Sequence, residues 1–186
     1  MTTQAKDNFE NGIFWELYKD LERQFQNFLD YVPYLPGNEK IYSFKLLNLI
    51  SSIGGHIDSA FKEMARYPEF SEKEACKQTL KRASERKGII KTGVNAFDAE
   101  YGISTKKVKF KRLVKREDVI PFSRDEGENC VPEWWKFYND LKHDVGLNIK
   151  KANLKNARDA LAGAFLLNVI HVPAALRLFK YHILKV

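Results

Sequence analysis

From Phe9 to Val32, apolar residues recur at three- and four-residue steps (Ile13, Leu17, Leu21, Phe25, Phe28 and Leu29) among charged neighbours. That spacing predicts an amphipathic helix, ended by Pro33 and the Pro36-Gly37 pair. A second stripe runs through Leu46, Leu49, Ile50, Ile53, Ile57, Ala60, Phe61 and Met64 and predicts a helix from about Glu39 to Arg66. Gly54-Gly55 interrupts it, and each interior glycine costs about 0.5 to 1 kcal/mol relative to alanine, so the pair implies close helix packing or a kink. Glu72–Lys87 reads as a shorter, very basic helix stopped by Gly88. The helical period is then lost to Cys130, with Val108–Val119 alternating loosely like a short strand or hairpin. Pro132 is a helix-start residue, and helical spacing returns over Glu133–Val145 until Gly146. Ala152–Ile170 is the most apolar helix, with Leu154, Ala157, Leu161, Ala164, Phe165 and Val169 on one side, and Pro173 stops it. The tail, Ala174–Val186, reads as another helix or a strand.

These elements predict an all-α fold, an antiparallel helical bundle, over one domain spanning residues 1–186. A basic, partly irregular insertion at about 72–130 separates the second and last core helices. A chain of 186 residues buries enough surface to fold without disulfides or metals. Cys76 and Cys130 lack CxxC spacing, so neither a thiolate zinc site nor a disulfide framework is suggested. Met1–Gly12 is polar and Ala160–Val172 is too short to span a bilayer, so no signal peptide and no membrane association are expected. A cytoplasmic location is expected.

Charge sharpens this picture. The net charge is +7, but Lys73–Arg116 holds 14 Lys/Arg against 4 Asp/Glu, leaving 17 against 20 elsewhere. The positive charge is therefore regional. Lys106, Lys107, Lys109, Lys111 and Arg112, with Phe97, Tyr101 and Phe110 interleaved, could track a nucleic-acid backbone while aromatics stack on bases. A lysine-rich solvated face is the alternative.

Candidate chemistry concentrates between Trp134 and Val145. On a helical wheel Trp134, Phe137, Tyr138, Leu141 and Val145 form a packing side, while Trp135, Asn139, Lys142 and His143 share a neighbouring side. Asn139 and His143 are four residues apart with Lys142 beside them, so an amide, an imidazole and a cation can meet one phosphate. Histidine moves a proton near neutral pH, lysine neutralises a phosphoryl oxygen and asparagine orients either. A solvated, locally bonded pair has the same spacing. Trp135 could stack on a base or mark an amphipathic interface. Asp58 and Lys62 form an i, i+4 pair, either a plain salt bridge or a support for His143. His56 and Asp58 point about 200° apart on a straight helix and so cannot share a metal, which leaves His56 as a flank or interface residue. His171 and His182 lack ligand spacing, so no metal or cofactor is implied. Without a Gly-rich phosphate loop, a GxSxG elbow or an HExxH pair, the P-loop, α/β-hydrolase and zincin classes are disfavoured.

The run Trp134-Trp135-Lys136-Phe137-Tyr138-Asn139-Asp140-Leu141-Lys142-His143, followed by an Ala/Leu-rich helix, resembles the W-x-x-Y-N-x-[VL]-K-H signature of small prokaryotic proteins related to the HEPN superfamily. Tyr31-Val32-Pro33, Ser52-Ile53-Gly54-Gly55-His56-Ile57-Asp58 with Lys62 following, and Val119-Ile120-Pro121-Phe122 extend the likeness over most of the chain. The resemblance implies a helical bundle, a homodimer and an RNA or nucleotide ligand. It also implies metal-independent endoribonuclease activity in a toxin or antiphage system, with an antitoxin or defence-system partner. His143 would be the general acid or base, Lys142 the phosphate contact and Asn139 the positioning group. The alternative is a non-catalytic module binding RNA, a nucleotide or a partner protein. Departures from the catalytic pattern are Tyr138 in the arginine place, Val145 where a second arginine is common, and His56 for an acidic residue. A guanidinium is the usual bidentate clamp on a phosphate and Lys142 only a point-charge substitute, so an arginine such as Arg158 or Arg177 within reach of His143, in the fold or across a dimer, separates the two readings.

Overall fold

The computed structural model describes residues 12–66, 89–110, 113, 118–123, 131–171 and 184–185. The helix expected over Glu72–Lys87 lies outside these residues, as do Lys111, Arg112, Arg177, His182, Cys76 and Cys130. The described residues are mostly helical. In chain order they form α1 (Ile13–Leu29), a 3₁₀ turn (Asn38–Lys40), α2 (Phe44–Arg66), α3 (Ile89–Tyr101), β1 (Val108–Phe110) and β2 (Asp118–Val119). There follow α4 (Glu133–His143), the single turn α5 (Val145–Asn148), a 3₁₀ turn (Ile149–Lys151), α6 (Leu154–His171) and β3 (Leu184–Lys185).

Capping chemistry moves several boundaries from their expected places. α2 begins at Phe44, not Glu39, because the Ser43 hydroxyl accepts from the Leu46 amide at 3.1 Å while Tyr42 bridges to Asn153. α4 stops at His143, because Asp144 leaves the helical region and its carboxylate accepts from the Leu147 amide at 3.0 Å to start the next turn. Val145 is thereby removed from the packing side and is exposed. The loss of helical period after Gly88 does not hold throughout: Ile89–Tyr101 is helical, with Val94 and Phe97 buried and Phe97 edge-on to Phe61.

α1, α2, α4 and α6 build the core. α6 is buried nearly all round, from Ala157 through Val169, as expected of a helix apolar on every face. α1 runs antiparallel to α2, with Phe14 against His56 at one end and Phe28 near Lys45 and Leu49 at the other. α4 runs antiparallel to α6, with Glu133 bonded to Lys155 and Asp140 to Lys151. The four helices thus alternate in direction along the chain, which makes the second and the fourth run the same way. α2 and α6 run parallel, joined by Ser43 N–H to Ala152 O at 3.3 Å and by Asn168 to His56 at 2.9 Å. α4 makes the return trip between them, so α6 starts at the same end as α2. That end of the bundle therefore collects the connection 30–43, the end of α4 and the turns 144–153.

The expected hairpin is present and gains a third strand from the tail: the sheet order is β2-β1-β3, with both pairs antiparallel. Val108 and Phe110 face inward, Phe110 with its ring 6.2 Å from that of Phe25 on α1, and Lys109 faces out. Among the described residues no helix is long and apolar enough to cross a membrane.

Candidate functional site

α4 is held by its aromatic residues. Trp134 donates Nε1–H to the Pro121 carbonyl at 2.6 Å, meets Phe122 edge-on and lies against Gly163, where a Cβ would sit 2.9 Å from the indole. Tyr138 packs flat onto Gly54 on α2, in the space a side chain there would need. Leu141 completes this buried face. Trp135 belongs to it as well: at 7% exposed, edge-on to Trp134 and against Tyr138, it is a core residue and not a surface stacking platform. Trp135 and Lys142 occupy one stripe of the helix, but the first lies inside the bundle and the second at its end. Phe137 is only half-buried, with the Lys151 ammonium 5.6 Å from its ring centre.

The last turn of α4 divides its polar residues into bonded and unbonded ones. Asp140 pairs with Lys151 at 2.6 Å, and the Asn148 amide donates to the Asp140 and Asp144 carbonyls, so the helix end is well satisfied. Asn139 donates to the Trp135 carbonyl of its own helix at 3.1 Å. Lys142 and His143 are exposed and make no hydrogen bond or ion pair with any described residue. Both are cation-capable groups at a helix C-terminus, where they also complement the helix dipole. Asp58 and Lys62 pair with each other on the exposed flank of α2; they face Tyr138, whose hydroxyl pKa is raised first by burial and then by the Asp58 charge. They thus border α4 at its middle rather than at His143.

Of the two arginines named beside His143, Arg177 lies outside the described residues and Arg158 is engaged elsewhere. Arg158 is 7% exposed, donates to the Tyr34 hydroxyl and to Asp159 at 2.8 Å, and lies 4.9 Å over the Tyr34 ring. Arg23 is paired with Asp20. Tyr138, in the family's arginine place, is part of the core. Arg158 borders a polar cleft of about 310 Å³ with Asp118, Ser123, Glu133, Lys155 and Asp159. Burial there works against the Lys155 charge, yet the Asp159 and Glu133 carboxylates outweigh it and raise its pKa. This cleft lies at the start of α4, about 15 Å along the helix from His143.

On the sheet, Lys106, Lys107 and Lys109 are exposed, but Lys107 and Lys109 share Asp118 at 3.5 and 3.8 Å. Such exposed pairs contribute little to stability and dissolve readily for a stronger anion. Among the described residues no three His, Cys, Asp or Glu side chains are grouped to hold a metal.

His56 is not the flank residue its spacing suggested. It is 7% exposed, and burial lowers its pKa to about 4. The Asn168 amide nitrogen donates to Ala164 O at 2.8 Å and lies 2.9 Å from His56 Nε2. Nε2 is therefore the acceptor and the proton sits on Nδ1, which has no partner among the described residues. A buried N–H without an acceptor costs about 1 to 3 kcal/mol. The sequence carried a signal for this pair, since His56 and Asn168 are the polar interruptions of two otherwise apolar helix faces. No family model, curated protein or solved structure matches the chain.

Proposed function

We propose that this chain is an HEPN-like RNA-binding domain that contacts the RNA backbone through Lys142 and His143, without cleaving it. The observation that carries the reading is the pair itself: two adjacent basic side chains, exposed and unpartnered among the described residues, on a helix end whose other polar groups are bonded. Lys106, Lys107 and Lys109 supply a second stretch of positive charge. Against cleavage stand the occupied guanidinium of Arg158, the Asn139 amide donated to its own helix, and the buried Tyr138.

One observation favours the second reading, a metal-independent endoribonuclease of a toxin or antiphage system. Tyr31, Phe44 and Leu147 are exposed at the same end of the bundle as His143, Leu147 by 85% and Phe44 by 72%. Apolar residues left open in this way suit a homodimer interface or a partner protein, and a dimer across this end would set a second imidazole near the first.

The test is binding of a labelled single-stranded RNA at several salt concentrations, by wild type, Lys142→Glu and His143→Ala. Lys142→Glu is expected to weaken binding about tenfold and to flatten the slope of log K against log salt by roughly 0.7. Affinity unchanged in both variants would defeat the site. Incubation of wild type with a mixed RNA pool in EDTA should leave it intact; cyclic-phosphate ends that vanish in His143→Ala would establish the nuclease instead.

A further inference from the structure

Two aromatic side chains stand almost free of the protein at the end of the bundle that carries Lys142 and His143: Tyr31, 83% exposed, just after α1, and Phe44, 72% exposed, at the start of α2. Phe44 makes no ring contact with any described residue, and the Tyr31 ring has the Lys45 ammonium 5.9 Å from its centre. Their places relative to Lys142 follow from the helix crossing. α4 runs antiparallel to α2, with Tyr138 on Gly54. One turn further along α4, Lys142 therefore comes beside α2 about one turn before Gly54, near the exposed Ser51. Phe44 lies on the same face of α2 as Ser51, seven residues earlier and so about 10 Å along the axis. Tyr31 borders it through Lys45. Rings and cations thus share one surface. Acids at this end are bonded within the protein: Asp30 accepts from Gln26 at 3.3 Å, Asp140 pairs with Lys151, and Asp144 accepts from the Leu147 amide.

We infer that Tyr31 and Phe44 stack on unpaired bases, so that this end of the bundle takes single-stranded rather than duplex RNA; the inference rests on the backbone contact proposed for Lys142 and His143. An exposed ring offers its face to any base, and a base is free to take it only where it is not already paired and stacked in a helix. Duplex RNA keeps its bases inside and presents phosphates and 2′-hydroxyls, for which two apolar rings have no affinity. Lys45 and Lys142 supply the charge for the phosphates that link the stacked nucleotides. The chemistry of the surface also selects this occupant over a protein. The buried centre of a protein interface is depleted of lysine. Here Lys45 lies against one ring and follows the other in the chain, and Asn48 and Ser51, between Phe44 and Lys142, are polar and exposed.

The probe is a short labelled RNA of mixed sequence, alone and annealed to its complement, with binding followed by fluorescence anisotropy at several salt concentrations. We expect wild type to bind the single strand at least about tenfold more tightly than the duplex. Tyr31→Leu and Phe44→Leu keep an apolar side chain and remove the ring. Each should weaken the single strand about tenfold while the melting temperature and the slope of log K against log salt stay at wild-type values, because the residue is exposed and no charge is lost. Lys142→Glu is the control for the underlying reading, since it flattens that slope whether or not bases stack. Equal binding of single strand and duplex by wild type would overturn the stacking and leave the backbone contact standing. So would leucine variants that bind the single strand as wild type does while Lys142→Glu weakens it. No binding of either RNA would remove both readings. A wild-type dimer in sedimentation that Phe44→Ser dissociates would assign the surface to a second copy of the chain and overturn the inference as well.

Discussion

α2 meets α4 on one side and α1 on the other, and adjacent glycines mark the two contacts. On the α4 side, Gly54 is covered by Tyr138, and α4 is in turn locked by Trp134 against Pro121, Phe122 and Gly163. On the α1 side, Gly55 faces open space and His56 keeps an unpaired N–H. One contact leaves no room for an added carbon. The other retains both of the features that packing normally removes, volume and an unsatisfied donor. Close packing thus accounts for the residues on the closed side and not for those on the open side.

The largest effect expected on the closed side is at Trp134. Trp134→Ala removes a buried indole, its hydrogen bond to Pro121 and its contact with Gly163, and should lower stability by about 3 to 5 kcal/mol in chemical denaturation. A loss below about 1 kcal/mol would mean that α4 is not held by this anchor, and that the two sides of α2 do not differ as described.

On the open side pH supplies a comparable lever. His56 is held down to about 4 from an ordinary 6.5 by burial, so the unfolded chain binds the proton first as pH falls. The stability associated with a neutral His56 is present in full above about pH 6.5 and is lost progressively towards pH 4, by about 3 kcal/mol in total. Urea titrations over that window should therefore show wild type losing stability relative to His56→Phe as the medium is acidified. Parallel pH profiles would show that the imidazole is not buried as a neutral ring. A smaller effect is expected from Gly54→Ala, whose Cβ must displace the Tyr138 ring; overpacking of this kind costs about 1 to 3 kcal/mol, measurable as a shifted denaturation midpoint. Wild-type stability in that variant would place Tyr138 elsewhere.

Much of this was legible in the chain, and what was not has identifiable causes. The four core helices are visible as apolar stripes because a 3.6-residue period needs no knowledge of neighbours. The hairpin at Val108–Val119 was legible from its alternation, although its third strand comes from residues 184–185, too short a run to declare itself. The Ile89–Tyr101 helix was hidden because its buried positions are few, and Gly93, pressed against Phe61, reads as a breaker when its partner is unknown. The parallel course of α2 and α6 follows from the alternation of four helices, but their direct contact is something no stripe encodes. At the candidate site, the wheel placed Asn139, Lys142 and His143 together but gave no depth along the helix axis, so Trp135 and Val145 were each put on the wrong side of the surface. The pairing of His56 with Asn168 joins residues 112 positions apart and needs the fold to be seen.

Gly55 gives the smallest and most discriminating prediction. An exposed or half-exposed glycine inside a helix lowers stability relative to alanine by about 0.5 to 1 kcal/mol, chiefly because the unfolded chain has more freedom to lose. Nothing lies within 4 Å of the position a Cβ would take, and its backbone carries no positive φ, so alanine fits without strain. Gly55→Ala should therefore raise the melting temperature while its neighbour Gly54→Ala lowers it, two adjacent substitutions of one kind with opposite signs. A destabilised Gly55→Ala would show that the space beside Gly55 is already filled in the native protein, and the distinction between the closed and open sides of α2 would fall. A stabilised one leaves the wild-type glycine as a standing loss of stability that packing does not require.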